Sequence, residues 1–393
     1  MNAQRSDILK LIYAAITKQR MELSVDFSIR SIMPIIKEHN IIALCYYGAV
    51  ECGLDTYSPE MRALFNYVCR YIYNNERQNY VVEEIFATFE KNGIEYMPLK
   101  GILLKELYPN PEMRVMGDLD ILIRTEQYPQ IQSLFHALNY TEITESDHEL
   151  IWNRNGVLIE LHKRLIPSYN KDYYSYFEDG WRLAKISTGT KHQMTDEDQL
   201  IYLFTHFAKH YRDGGIGIRQ MVDLWIYRRN NTVLDESYLK RELTALSLYD
   251  FYKNIYDTLA VWFEQGQPNE ITELITDTIF NSGVFGTNEA HVLSEGVKIE
   301  TTSDKPNANA KAIKLFRSLF LPYSSMCKKY SFLKRIPILL PIMWIVRWLE
   351  AIFIKRNRIG KTIDDLKLMS DQNINTHKNN LERVGLSFNF KEQ

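Results

Sequence analysis

The chain has 393 residues, enough for two or three domains, and its hydrophobic (45%) and charged (24%) fractions are ordinary for a globular protein. Its 47 lysines and arginines are balanced by 49 aspartates and glutamates, which argues against a protein-wide binding surface for duplex nucleic acid. The four cysteines form no CxxC pair, which argues against a disulfide framework or a structural zinc site. Reduced cysteines in a cytosolic protein are the favoured interpretation, and the N-terminus lacks the continuous apolar run of a signal peptide, so we expect a cytoplasmic location.

The first 90 residues are predicted to be an N-terminal helical region, because apolar residues recur there at spacings of three and four. Over residues 91–190, short apolar strands, turn residues and brief helices alternate, which is the pattern of a mixed α/β unit. The predicted fold class is therefore α+β, with a small mixed β-sheet flanked by helical N-terminal and C-terminal regions. The predicted strands are Tyr96–Leu99, Asp118–Arg124 and Val157–His162.

Helical spacing returns beyond residue 190. Thr195 and Asp198 form a start resembling a capping box, and the run from Asp213 to Gly215 ends that helix. Residues 191–300 are predicted to form a helical domain. Residues 301–393 are predicted to be a linker followed by C-terminal helices, with the polar run Thr301–Ala310 as the linker.

One apolar stretch, Ile336–Ile354, approaches the length of a membrane span but contains two prolines, an arginine and a glutamate. We expect it to pack on the protein as a buried or docking amphipathic helix. The alternative is peripheral contact with a membrane surface through the side that carries Trp344 and Trp348. A true span is the least favoured interpretation.

Two aspartates share one face of the second predicted strand. Side chains alternate along a strand, so Asp118 and Asp120 in DLDILI point away from the apolar residues between and after them. Neighbouring carboxylates repel one another unless a cation neutralises them, and Mg²⁺ is commonly bound by one or two carboxylates with substrate phosphates. For this pair alone, the alternative is a solvated acidic strand edge.

The third predicted strand supplies another carboxylate. In VLIELH, Glu160 and His162 share the face opposite the buried aliphatic residues. If the two strands are neighbours, Glu160 converges with Asp118 and Asp120 in a site suited to two metal ions that bridge a nucleophile, an α-phosphate and a leaving pyrophosphate. His162 either orients a carboxylate or is a satisfied histidine at a strand end.

Two cations and a glycine are candidates for phosphate contacts. Lys100 and Gly101 end the first predicted strand, where glycine permits close backbone approach and the lysine supplies a point charge. Arg114 is suited to clamping triphosphate oxygens or to pairing with the carboxylates. For each cation taken singly, a surface salt bridge is the favoured interpretation.

The later helices add weaker candidates. His206 and His210 share a helix face at a spacing that can bind zinc, but no glutamate stands between them as in HExxH, so a substrate-facing or packing role is preferred. Arg219 and Asp223 are most simply a helix-surface ion pair. We retain His210 and Arg219 as candidate substrate contacts.

The order of these motifs resembles an uncharacterised family of the DNA polymerase β-type nucleotidyltransferase superfamily. The similarity is strongest over residues 94–165, in the motifs Leu99-Lys100-Gly101, Leu107-Tyr108-Pro109, Arg114, Asp118-x-Asp120 and Glu160-x-His162. It extends more weakly to His206-x-x-Lys209-His210, Arg219 with Asp223, and the segment YSFLKRIPILLPIMW.

This resemblance implies that Asp118 and Asp120 bind Mg²⁺, with Glu160 as the third carboxylate and room for two ions. It also implies transfer of a nucleoside monophosphate from a nucleoside triphosphate to an acceptor, which is a small molecule, a peptide, a protein or RNA. Better-known members have a Gly-Ser pair where this chain has Lys100-Gly101, so the phosphate contacts are expected to differ.

Two other functions stay open. One is a catalytically degenerate member that binds a nucleotide or a partner protein. The other is an enzyme with the same core that transfers a phosphoryl group in natural-product or polysaccharide assembly. A structural helical-repeat protein is a distant third, because it gives no reason for three acidic residues aligned on strands.

Overall fold

The computed structural model describes residues 2–302, 310–353 and 356–387. The region predicted to be helical at the N-terminus is helical, and its fourth helix is 33 residues long. The first and third of these helices approach closely at Gly48, where a Cβ atom would overlap the carbonyl oxygen of Leu11. The helices are α1 (Ala3–Thr17), α2 (Ile29–Glu38), α3 (Ile42–Glu51) and α4 (Pro59–Lys91).

A mixed sheet follows. Its strands are β1 (Tyr96–Pro98), β2 (Asp118–Ile123), β3 (Thr141–Glu145), β4 (Glu149–Arg154), β5 (Val157–His162), β6 (Lys185–Thr188) and β7 (Lys191–Gln193). The described residues give the order β3-β4-β5-β2-β1-β7-β6. The pairs β2–β5 and β1–β7 are parallel and the others are antiparallel. Three helices connect the strands: α5 (Gly101–Leu104), α6 (Tyr128–Ala137) and α7 (Lys171–Phe177).

The α+β class and the three predicted strands are present, but four further strands were not predicted. Strands β3 and β6 are edge strands whose side chains are almost all exposed, so they lack the alternation of apolar and polar residues that indicates a half-buried strand. Strand β7 has only three residues. Strand β4 alternates in burial, with Leu150 and Trp152 fully buried, but the apolar Ile151 between them removes the alternation of apolar and polar residues from the sequence.

The second helical region is α8 (Asp196–Asp213), α9 (Ile218–Asn230), α10 (Glu236–Ala245), α11 (Tyr249–Phe263), α12 (Glu270–Ser282) and α13 (Asn288–Thr302). As predicted, the Thr195 side chain caps α8 by accepting a hydrogen bond from the Asp198 backbone N–H, and the helix ends at Asp213. Apolar residues of α8–α13 and of α1–α3 form one buried cluster. The N-terminal and later helices therefore share a core.

The two faces of the sheet have different coverings. On one face, Leu119 and Ile121 of β2 pack in a cluster with Ile85 and Phe89 of α4 and Phe135 of α6. On the other face, Leu122 of β2 belongs to the helical cluster that contains α8 and α9. The face of β2 that carries Asp118 and Asp120 is thus turned toward the helices that follow the sheet.

The C-terminal helices are α14 (Ala310–Leu319), α15 (Tyr323–Lys329), α16 (Leu340–Phe353), α17 (Arg356–Leu368) and α18 (Asp371–Arg383). Residues 303–309 of the predicted linker lie outside the described residues, as does Ile354 at the end of the apolar stretch. None of the described helices combines the length and the apolar character that crossing a bilayer requires.

The apolar stretch covers less of the protein than expected. Its Leu340, Met343 and Trp344 pack on a small local cluster from residues 321–333. The indole N–H groups of Trp344 and Trp348 donate to the carbonyl oxygens of residues 321 and 319, at 3.0 and 2.7 Å. The side of the helix that carries Trp344 and Trp348, which the alternative interpretation assigned to membrane contact, therefore lies against the protein.

Gly48→Ala should lower the free energy of unfolding by about 1–3 kcal/mol, the usual cost of overpacking, because the new methyl group meets a backbone carbonyl that cannot move aside. Urea unfolding followed by circular dichroism measures the change. The matched control is Gly360→Ala in α17, where a Cβ atom meets nothing within 4 Å. This control should gain up to about 1 kcal/mol, because alanine favours a helix over glycine. Equal effects of the two substitutions would contradict the packing of α1 on α3.

Candidate active site

Three carboxylates lie together on the central strands. Asp120 of β2 stands opposite Glu160 of β5 in the parallel register, and Asp118 is two residues earlier on the same face. The residues between them, Leu119 on β2 and Ile159 on β5, are fully buried on the opposite face and fix the alternation. The strand order thus brings Asp118, Asp120 and Glu160 together.

Asp120 is the most tightly bonded of the three. Its Oδ1 atom lies 2.8 Å from the Lys100 Nζ atom and 2.8 Å from the His162 Nε2 atom. Burial alone would raise its pKa, but the Lys100 ammonium and the hydrogen bond from His162 hold the pKa of Asp120 well below its usual range. Asp120 is therefore ionised, and His162 orients it.

The other two carboxyl groups, Asp118 and Glu160, retain their protons more strongly than free side chains do. Burial, together with the charges of Asp118 and Asp120, raises the pKa of Glu160 to about 8. Burial and the charge of Asp120 also raise the pKa of Asp118, which is hydrogen-bonded to Glu160. A bound cation would relieve this repulsion.

The donor atoms fit a divalent cation. One ligand atom each from Asp120, Glu160 and His162 lies within 4.8 Å of the other two. Among the described residues, Asp118 is not a member of this group, although it adjoins Glu160. Carboxylate oxygens are the ligands that Mg²⁺ prefers, so the acidic members suit that ion.

Lys100 reaches Asp120 from an unusual backbone conformation. Its φ is 44° and its ψ is −112°, between the end of β1 and the start of α5. Such a conformation costs a non-glycine residue about 1–3 kcal/mol and persists only where the surroundings impose it. At the next residue, Gly101, a Cβ atom would stand 2.8 Å from Arg114 Nη1, so glycine allows the guanidinium to lie against the backbone.

Arg114 is buried and bound to α9. Its Nε and Nη2 atoms lie 3.2 and 3.0 Å from the two carboxylate oxygens of Asp223, which also accepts a hydrogen bond from the Tyr108 hydroxyl at 2.7 Å. Arg219 donates to the carbonyl oxygen of Val115 at 2.7 Å. Helix α9 therefore holds the loop that leads into β2.

This network corrects two interpretations of the sequence. Asp223 is not in a surface ion pair with Arg219, because it is buried and its ion pair is with Arg114. Arg114 and Lys100 are not in surface salt bridges, because both bonds are enclosed. The spacing rule for helices considers only neighbours on one helix, and the partner here comes from a loop 109 residues away.

Helix α8 forms the opposite wall. The Nε2 atoms of His206 and His210 are 3.1 Å apart, so one imidazole donates to the other. His210 borders the open cavity, yet enclosure by protein atoms and the charge of Lys209 lower its pKa to about 3. Burial and the charge of Lys100 lower the pKa of His206 well below its usual range, and both imidazoles are neutral. Neither belongs to a metal-ligating group within the part of the chain that the structure describes.

A cavity of about 630 Å³ separates the sheet from the later helices. The carboxylates and His162 line it on the side of the strands, and His206, Phe207, His210 and Phe285 line its other side. Every site residue predicted from the sequence lines this cavity: Lys100, Gly101, Arg114, Asp118, Asp120, Glu160, His162, His210 and Arg219.

His148 and Glu149 were not predicted as site residues. The ring centroids of His148 and His162 are 5.2 Å apart, and His148, Glu149 and His162 form a second group with the spacing of metal ligands. Burial and the nearby His162 lower the pKa of His148 to about 3. Strand β4 pairs with β5 and places Glu149 opposite His162. Because β4 was not predicted, there was no reason in the sequence to place these two residues near the carboxylates.

The comparisons with known proteins bear on this geometry. The model of one protein family, described as uncharacterised nucleotidyltransferase, matches residues 25–264, which are more than half of the chain and include the whole sheet. No curated protein and no solved structure matches. The chain therefore belongs to this family of uncharacterised nucleotidyltransferases.

Proposed function

We propose that the protein transfers a nucleoside monophosphate from a Mg²⁺-bound nucleoside triphosphate to an acceptor. The observation that carries the proposal is the cluster of Asp118, Asp120 and Glu160 on one face of two adjacent strands, inside a cavity of about 630 Å³. A cavity of that size accommodates a ligand as large as a nucleotide. Family membership supports the same reaction class.

In this proposal, Asp118 and Asp120 would hold one or two Mg²⁺ ions, and Glu160 would complete the site that holds the nucleophile. The metal would neutralise phosphate charge and favour deprotonation of the acceptor. Lys100 would supply a further positive charge for the phosphates, because its Nζ atom lies 2.8 Å from Asp120 and therefore beside the proposed metal site. His162 keeps Asp120 in position through the Nε2 contact.

The reaction breaks one bond and forms another. An acceptor oxygen bonds to the α-phosphorus, and the bond from that phosphorus to the oxygen shared with the β-phosphate breaks. Pyrophosphate leaves, and Glu160 would take the acceptor's proton as general base, because a bound Mg²⁺ would offset the neighbouring negative charge and return Glu160 to its ionised form. The class of the acceptor stays open among small molecules, peptides, proteins and RNA.

A nucleotide-binding protein without catalysis is the second candidate, and one contact favours it. The ammonium of Lys100 lies 2.8 Å from Asp120 and neutralises a carboxylate that the leading proposal assigns to a metal. Transfer of the γ-phosphoryl group is the remaining alternative.

Labelled triphosphates separate these reactions. The full-length protein is incubated with Mg²⁺, each triphosphate in turn, and fractions of a cell extract that contain small molecules, peptides, proteins or RNA. A product labelled from the α-phosphate, formed with release of pyrophosphate, is the expected result. A product labelled only from the γ-phosphate indicates phosphoryl transfer. Intact binding of the Mg²⁺–triphosphate complex without any labelled product indicates the binding protein.

Replacing Asp118 or Asp120 with asparagine should abolish turnover and weaken binding of the Mg²⁺–triphosphate complex while the fold is kept. The amide removes the negative charge but preserves the side chain's shape. Mn²⁺ titration of the double variant measures the loss, and Asp257→Asn on the exposed side of α11 is the matched control. Wild-type Mn²⁺ affinity in the double variant would falsify the metal assignment.

Glu160→Gln should spare binding of the Mg²⁺–triphosphate complex and slow the chemical step by about 10²–10⁴-fold, the usual contribution of a general base. Single-turnover kinetics measure that step apart from binding. Thermal unfolding serves as the control for the fold. A variant that reacts at the wild-type rate would remove Glu160 from the mechanism.

Lys100→Ala should raise the triphosphate KM by about 10–100-fold, the value of a hydrogen bond to a charged group. The factor should be similar for ATP, CTP, GTP and UTP, because the lost contact is with the phosphates that they share. Lys253→Ala on the exposed side of α11 is the control. An increase confined to one nucleotide would show that Lys100 contacts the base instead.

A further inference from the structure

Positive charge is concentrated near the C-terminus. Residues 311–361 contain twelve lysines and arginines and one acidic residue, Glu350, although the whole chain has slightly more acidic than basic residues. That glutamate is paired with Lys329. In the same segment, Lys328, Lys334 and Arg335 are exposed. This part of the protein is therefore strongly basic.

Next to this charge lies a row of exposed aliphatic side chains. Ile338, Ile342, Ile345 and Leu349 are 84%, 54%, 51% and 49% exposed. Their spacing of four, three and four residues places them on one face of α16 and the turn before it. Large aliphatic residues gathered on one exposed face usually mark an interaction surface.

The opposite side of α16 fixes the direction of this face. Trp344 and Trp348 donate their indole N–H groups to the backbone at residues 321 and 319, and Met343 packs on the local apolar cluster. Rotating the aliphatic row inward would break both hydrogen bonds. The row therefore points away from the protein.

We propose that this basic and aliphatic surface docks the protein on an anionic lipid bilayer. Helix α16, with 14 residues, is about 21 Å long and does not reach across a hydrocarbon core of about 30 Å, so it lies in the plane of the membrane. An apolar face bordered by lysines and arginines is the arrangement of helices that bind at the interface. The proposal is independent of the carboxylate site and of its reaction.

Two other occupants fit less well. RNA would use the lysines and arginines but would leave the aliphatic row without a partner. A second copy of the chain, related by a twofold axis, would cover the row but would bring two basic clusters together, and like charges repel. A bilayer with acidic headgroups satisfies both parts of the surface.

Co-sedimentation of the full-length protein with vesicles tests the proposal. The protein should bind phosphatidylcholine vesicles that contain phosphatidylserine, bind pure phosphatidylcholine weakly, and be released by high salt or alkaline carbonate. The double variant Ile342→Ser/Ile345→Ser should lower the partition coefficient by about 10-fold or more, since each side chain loses its apolar burial. Lys334→Glu/Arg335→Glu should reduce binding to the acidic vesicles.

The matched control is Ile143→Ser/Ile186→Ser, which removes two exposed isoleucines from the edge strands β3 and β6. It should bind vesicles as the wild type does, and circular dichroism checks that each variant is folded. Equal losses in both double variants, or no binding of the wild type to acidic vesicles, would overturn the proposal. So would resistance to carbonate, RNA binding that is unaffected by Ile342→Ser/Ile345→Ser, or a dimer that this variant dissociates.

Discussion

Repulsion between buried carboxylates is the constraint on which the centre of this protein depends. The parallel pairing of β2 with β5 puts Asp120 beside Glu160, and a buried charge is costly without a partner. Lys100 and His162 both contact the same oxygen of Asp120. The need for a cation beside Asp120 explains why Lys100, at the end of β1, adopts a strained conformation with a positive φ. The strain is maintained because relaxing it would leave Asp120 without its cation.

The site is assembled from two parts of the fold. Strands β2 and β5 supply the carboxylates, whereas α9 sets the approach to β2 through the contact of Asp223 with Arg114 and that of Arg219 with the backbone. A buried ion pair fixes the relative positions of its two partners, but its net contribution to stability is small because desolvation offsets the attraction. The position of Asp118 therefore depends on how the later helices pack on the sheet.

Local patterns in the sequence were enough to predict β1, β2 and β5 and the shared face of Asp118 and Asp120, because strand alternation involves only neighbouring residues. The approach of Glu160 depended on strand order, which no local pattern determines. For the same reason, the hydrogen bonds of Asp120 to Lys100 and His162, which are 20 and 42 positions away in the chain, could not be predicted. The predicted ion pair between Arg219 and Asp223 was wrong, because Asp223 pairs with Arg114 from the loop before β2. His148 was missed together with β4.

Helix α4 has a consequence for how ligands exchange. Its first turns bury Met61 and Leu64 in the cluster shared by the helices, and its last turns bury Ile85 and Phe89 beneath the sheet. The helix has 33 residues, is about 50 Å long and is continuous, so it forms a rigid connection between the two cores. A hinge at this connection would have to break helical hydrogen bonds in mid-helix. We therefore expect the cavity to admit and release its ligands by rearrangement of rim side chains, not by separation of two lobes.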